Sequence, residues 1–328
     1  MSNNRLKVIM RHIIPWKTDI KSTLTSSIAE ELTVKSPFEL SLNNNKLLNA
    51  DQQLFYEENG YLVIRKLVDE ETLHECRNHF VDICERRYPK GSMILMKDIS
   101  LSKLGRTGEY LYNKIQDLIW DEVFETYILH DTLLDYVESF IGPNIKAVHS
   151  MLINKPPDPK TLTSRHPLHQ DLYYFPFRPS NKIVAAWTAM ESITTENGCL
   201  VVIPGSHKGP LLEHGYPEWE NGVNKAYHGV KGLDSHNAIP LHMEVGDTVF
   251  FHPLLIHGSG PNLTQGFRKA ISCHYASSDC YYIDVKDTIQ DNIAKEVEDI
   301  ARKRGFDGSF NNIWQVKSRL VRGEENTL

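Results

Sequence analysis

Gly246-Asp247-Thr248-Val249-Phe250-Phe251-His252-Pro253-Leu254-Leu255-Ile256-His257-Gly258-Ser259-Gly260 decides how the chain is read. A Gly-Asp turn opens a short β-branched and aromatic run, and a Gly-Ser-Gly turn closes the segment. Similar short runs recur from Ile145 onward, over 145–153, 183–190, 199–203, 247–252 and 268–276. Turn signals such as Gly205-Ser206 separate them, so the spacing predicts an antiparallel sandwich or barrel, not βαβ units. The expected fold class is mainly β with flanking helices, around a double-stranded β-helix (jelly roll, cupin-like) core.

N-terminal to these runs the periodicity is helical. Asn49-Ala50-Asp51-Gln52 has the form of a capping box, and Asn59-Gly60 ends the helix it opens. Tyr61-Leu62-Val63-Ile64 reads as a strand. Asp69 caps a helix carrying Leu73, Cys76, Phe80 and Ile83, and a further helix is expected over 122–140. A last helix is expected from 287 to 304. The 328 residues carry 36 basic and 42 acidic side chains, for a net charge of −6, with 41% apolar residues. That composition excludes disordered and collagenous chains. It argues against a general nucleic-acid footprint, so no nucleic-acid partner is expected. No apolar run reaches the ~20 residues of a membrane span. Five scattered cysteines without a CxxC fit reduced, buried thiols.

Residues 1–46 differ from the rest. Arg5-Leu6-Lys7-Val8-Ile9-Met10-Arg11-His12-Ile13 fits the pattern R-L-x5-H-(L/I), which resembles the N-terminal type of peroxisomal targeting signal. Leu6, Ile9 and Ile13 would form one stripe of a short helix. The expectation is a targeting segment and linker over 1–46, a peroxisomal import receptor as its partner, and a folded domain over 47–328.

His169-Gln170-Asp171 carries the chemistry. Residues i and i+2 of an extended segment share a face, so an imidazole and a carboxylate enter one cavity. That is two thirds of a 2-His-1-carboxylate triad, which holds non-haem Fe(II) with positions left open. The third ligand would come from a distant strand, and His257 is so placed. Arg268 follows eleven residues later and opens an apolar run. A planar guanidinium inside a barrel takes a carboxylate bidentately. Iron, open positions and a buried Arg together imply 2-oxoglutarate, with Ser259 adding a hydroxyl to its far carboxylate.

From about Asn44 onward the chain resembles the phytanoyl-CoA dioxygenase family. The resemblance runs through Phe55–Gly60, Met151–Pro157, Ser164–Asp171, Ala186–Met190, Gly198–Val202, Gly246–His252 and Gln265–His274. It implies Fe(II) held by His169, Asp171 and His257, and 2-oxoglutarate contacts at Lys114, Met151, Trp187 and Arg268. It also implies ascorbate as a reductant. The implied reaction is 2-hydroxylation of 3-methyl-branched acyl-CoA with O2, in peroxisomal fatty acid α-oxidation. Halogenases of similar fold lack the carboxylate, so Asp171 favours hydroxylation. Two alternatives stay open at this point: a related dioxygenase acting on another acyl-CoA or acid, and a jelly-roll binding protein without catalysis.

Other residues have plainer readings. His166 and His169 form H-x-x-H, but i+3 leaves opposite strand faces, which disfavours zinc. His252 reads as structural or as a neighbour of the metal ligands, and His149 and His274 read as core histidines. The run Tyr173–Phe177 serves core packing or an acyl pocket. Residues 1–22 are net +4, leaving the remainder at −10. A CoA substrate then needs a local exception, and Lys155, Lys160, Arg165, Arg178 and Lys182 are expected to supply it.

Overall fold

The computed structural model describes residues 38–42, 47–233 and 237–328. The targeting pattern at residues 5–13 lies outside the described residues. Residues 40–42 lie against the body: the Leu40 amide donates to Glu57 Oε1 at 2.6 Å, and Gln53 Nε2 donates to the Leu42 carbonyl at 2.9 Å.

Two antiparallel sheets form the core. The larger has the order Tyr61–Ile64, Thr248–Phe251, Ile183–Ala189, Arg268–Ser277, Ile145–Lys155, Tyr112–Gln116 and Ile94–Lys97, with Arg319–Arg322 also on Ile145–Lys155. The smaller has the order Ile239–Leu241, Leu200–Val202, His257–Ser259 and His166–His169. This is the double-stranded β-helix expected from the turn-punctuated runs.

Side-chain alternation assigns each strand two duties. Ala185, Trp187 and Ala189 face the smaller sheet and pack with Leu200, Val202, Leu241 and Phe251. Val184 and Ala186 face the other way, into a core shared with the helices Ala50–Asn59, Glu70–Cys84 and Asp131–Ile141. Burying each large apolar side chain there contributes roughly 1.5–3 kcal/mol. A third cluster joins Phe175, Phe177 and Ile183 to Trp314 on the helix Phe310–Lys317 and Ala294 on the helix Asp291–Arg302.

The capping box at Asn49 and Gln52 is present, and Gly60 ends its helix at φ 78°. Asp69 caps the next helix by accepting from the Thr72 amide. The expected helix over 122–140 is interrupted. It consists of Glu125–Ile128 and Asp131–Ile141, because His130 leaves helical ψ and its ring accepts from the Leu133 amide. The final helix is shorter than the expected 287–304, running over Asp291–Arg302. All five cysteines are buried and free. Among the described residues no helix is long and apolar enough to cross a membrane.

Candidate active site

The strand His257–Ser259 lies between Leu200–Val202 and His166–His169, and His257 pairs directly with His169. Their rings are 4.3 Å apart. The strand ends at His169. Gln170 stays extended, and Asp171 opens a short 3-10 turn that keeps its carboxylate beside the two imidazoles. Asp171 Oδ1 is 3.2 Å from His169 Nε2 and 3.7 Å from His257 Nε2. One ligand atom from each of the three residues falls within a 4.8 Å group, and all three residues are buried.

Each imidazole is oriented by backbone. His169 Nδ1 donates to the Pro167 carbonyl at 2.9 Å, and His257 Nδ1 donates to the Leu255 carbonyl at 3.0 Å. With Nδ1 so used, the Nε2 lone pairs face the cluster, as metal-binding imidazoles require. Burial pushes His257 down to about 4 although Asp171 opposes it, so its imidazole is neutral near pH 7. Burial works to raise the Asp171 pKa. The imidazoles around it, His257, His274 and His169, outweigh it and hold Asp171 well below the usual range. A carboxylate with two imidazole nitrogen donors is a donor set suited to a divalent transition metal.

The second half of the site lies on the larger sheet. Arg268 is the largest side chain with under 2% exposure. Its Nη2 donates to the Gly198 carbonyl at 2.8 Å, while among the described residues Nε and Nη1 have no hydrogen-bond partner. Lys155 is its cross-strand neighbour. Lys155 Nζ donates to Ser259 Oγ at 2.7 Å and to the Gly260 carbonyl at 2.5 Å. Burial lowers Arg268 to about 10, and burial together with Arg268 lowers Lys155 well below its ordinary value. Two buried cations side by side are costly unless an anion joins them. The orphaned guanidinium nitrogens fit a carboxylate.

Lys114, Met151, Trp187, Ser259 and Arg268 line one cavity of about 300 Å3 with His169, Asp171 and His257. Lys114 Nζ lies 4.6 Å from the centre of the Tyr227 ring, and burial lowers its pKa to about 8. Tyr174 and Phe175 also line the cavity, whereas Tyr173 and Phe177 pack in the core. The cavity continues to Val297 and Trp314 of the C-terminal helices.

The expected basic patch is not one surface. Lys155 is drawn inward by the same alternation that buries Arg268, and is 3% exposed. Arg178 is turned onto the Phe175 and Phe177 carbonyls and Gln290. Arg165 stacks 3.7 Å from the Trp219 ring. Lys160 is exposed and Lys182 half-buried in a separate 3-10 turn. Three of these five groups are thus committed within the fold. His166 stands outside the three-ligand group, with Nδ1 3.2 Å from the Pro167 carbonyl. His252 is structural, accepting the Leu254 amide at Nδ1.

Three further residues shape the site. His274 Nε2 donates to Asp171 Oδ2 at 2.8 Å and fixes the carboxylate's second oxygen. Counting by twos from Arg268 reaches His274, so the signal was in the alternation. Gln170 is fully buried. Its amide donates to the Pro210 and Leu254 carbonyls, and its Oε1 accepts the Leu212 amide. It thereby ties the His169 strand to the loop before His257. Its place between the two ligands signals the opposite face, though not its partners. Asn262 donates to the Lys155 and Gly266 carbonyls and shapes the loop after Ser259.

Residues 56–270 match the family model described as phytanoyl-CoA dioxygenase (PhyH). "Phytanoyl-CoA dioxygenase, peroxisomal" of Homo sapiens is 54% identical over 331 residues, covering 99% of this chain and 98% of that protein. The protein of the same name from Rattus norvegicus is 55% identical over 296 residues, covering 89% of this chain and 87% of that one. Among solved structures, EctD from S. alaskensis with 2-oxoglutarate and 5-hydroxyectoine superposes with a TM-score of 0.57 at 16% identity. That match covers 76% of this chain and 82% of EctD, and it supports the fold alone.

Proposed function

Because the chain belongs to the phytanoyl-CoA dioxygenase family, we propose that it is a peroxisomal Fe(II)/2-oxoglutarate-dependent dioxygenase that hydroxylates phytanoyl-CoA at C2. The products are 2-hydroxyphytanoyl-CoA, succinate and CO2, as in fatty acid α-oxidation. Hydroxylation beside the thioester circumvents a 3-methyl group that blocks β-oxidation. The observation that carries this reading is the meeting, in one buried cavity, of a His-Asp-His group and a guanidinium with two free nitrogens.

His169, Asp171 and His257 would hold the iron, with His274 keeping the carboxylate turned toward it. When bound, iron couples oxidative decarboxylation of 2-oxoglutarate by O2 to insertion of one oxygen atom at C2, and ascorbate keeps it ferrous. Arg268 takes the far carboxylate of 2-oxoglutarate. Ser259 accepts a hydrogen bond from Lys155, which leaves its own proton free to donate to that carboxylate. Lys114 offers a second buried cation on the same cavity wall, and Met151 and Trp187 exclude water around the cosubstrate. Residues 47–328 carry the reaction, and residues 1–46 are the address read by the import receptor.

The test is product analysis by mass spectrometry with Fe(II), 2-oxoglutarate, ascorbate and O2. Phytanoyl-CoA should gain one oxygen atom, with one succinate formed per product, and a straight-chain acyl-CoA should react far less. Hydroxylation confined to a different acyl-CoA or acid would assign the chain another substrate. For the address, residues 1–46 fused to a fluorescent protein should direct it to peroxisomes. Diffuse fluorescence would remove that role.

A further inference from the structure

We propose that a groove beside the iron cavity binds the adenosine 3′,5′-bisphosphate end of coenzyme A. The inference rests on the acyl-CoA reading above and deepens it. The groove, of about 550 Å3, is lined by Lys97, Lys103, Lys225, Tyr216, Asp98 and Asn224 among others. Lys225 lines both the groove and the iron cavity, so the two spaces meet there.

A second point of contact is the strand Ile94–Lys97. Ile94 and Met96 face the iron cavity, and Lys97 faces the groove. Strand alternation thus hands an apolar wall over to a cationic one within a single residue. An acyl-CoA needs that order. Its reacting carbon sits at the metal, its pantetheine arm leads outward, and its phosphates lie at the far end.

The groove's chemistry suits a phosphorylated nucleoside. Lys97, Lys103 and Lys225 are exposed, and among the described residues none has an ion-pair partner. The one carboxylate lining the groove is committed elsewhere. Asp98 is 1% exposed and accepts from the Ser100 and Leu101 amides, Thr163 Oγ1 and Asn224 Nδ2. Three ammonium groups around an occupied carboxylate, Lys97 and Lys103 free and Lys225 also acting on Glu296, form the local positive field that a protein of net charge −6 needs to hold an anionic substrate. Tyr216 supplies a flat face. Its hydroxyl donates to Glu296 Oε1 at 2.7 Å and accepts the Ala226 amide at 2.9 Å, which fixes the ring for a purine to stack on.

The test compares two substrates on the full-length iron-loaded protein: phytanoyl-CoA, and phytanoyl-pantetheine, which lacks the nucleotide. In the double variant Lys97→Ala, Lys103→Ala, KM for phytanoyl-CoA should rise by about tenfold or more. The kcat, and the KM for phytanoyl-pantetheine, should stay near wild type. Adenosine 3′,5′-bisphosphate should inhibit the wild type competitively against phytanoyl-CoA and lose that effect in the variant. Lys103→Glu alone, on an exposed residue, should show a smaller shift of the same kind. Unchanged KM and unchanged inhibition in the double variant would overturn the groove while leaving the acyl-CoA reading intact. A wild type that oxidises neither thioester would contradict that reading and the groove with it.

Discussion

Arg268 and Lys155 stand side by side in the interior, and among the described residues neither has an ion-pair partner. Removing either cation relieves desolvation in the free protein but deletes a partner of the cosubstrate. Arg268→Ala should therefore leave the protein folded and raise the 2-oxoglutarate KM by about tenfold or more, measured by succinate release. An unchanged KM would reassign the guanidinium. Lys114 gives a pH test. Burial has lowered its pKa from 10.5 to about 8, so in the ligand-free protein its ammonium is charged below about pH 8 and neutral above. Affinity for dianionic 2-oxoglutarate should fall as pH rises through about 8, and Lys114→Met should flatten that limb of the titration. A limb unchanged in the variant would show that Lys114 does not meet the anion. At this scale the sequence was most readable where spacing implies a shared face: His169 and Asp171 carry that logic. It was least readable for Lys155. Position 155 belongs to a run of charges that looks solvated, and only the pairing of its strand with Arg268 shows that it points inward.

Among elements, the strand Arg268–Ser277 does most to assemble the site, because one face brings Arg268, Ser272 and His274 to the cavity. The five short apolar runs were legible as strands because turn residues bound them. The strand Ile94–Lys97 was not recognised, and the bounds of the strand at His257 were not readable, both being short and defined by their partners more than by propensity. The break at His130 was hidden because one apolar stripe continues across it. Loop geometry supports the anion site too. Gly198 has φ +84°, and a Cβ there would lie 2.5 Å from the Gly260 carbonyl oxygen, while its own carbonyl holds Arg268. Gly198→Ala should destabilise the fold by about 1–3 kcal/mol in denaturant titration and weaken 2-oxoglutarate binding together with it. Stability and affinity both at wild-type level would show that the loop tolerates the change. Glu296 ties the helix Asp291–Arg302 to the cavity-lining loop through His228 at 2.8 Å and Tyr216 at 2.7 Å. Glu296→Ala should speed amide hydrogen exchange over residues 214–230 without changing exchange in the strand Arg268–Ser277. Equal protection in both proteins would show that the clasp is not what holds the loop.

Across the whole molecule, the net charge of −6 disguises a division of labour. Acidic excess covers most of the chain, while the site gathers cations in two settings. Arg268, Lys155 and Lys114 are buried, and Lys97, Lys103 and Lys225 are exposed beside the cavity. Salt should discriminate between them, because screening weakens exposed charges far more than buried ones. The KM for phytanoyl-CoA should therefore rise with ionic strength more steeply than the KM for 2-oxoglutarate. The central claim is that His169, Asp171 and His257 form the iron site on which 2-oxoglutarate is bound. Its most direct test is anaerobic: Fe(II) is added to the metal-free protein, then 2-oxoglutarate, and the visible absorption is recorded. The wild type should develop the metal-to-ligand charge-transfer band of chelated 2-oxoglutarate, and folded Asp171→Ala should lose it along with turnover. A band of full intensity with full product formation in Asp171→Ala would contradict the assignment, as would no band in the wild type.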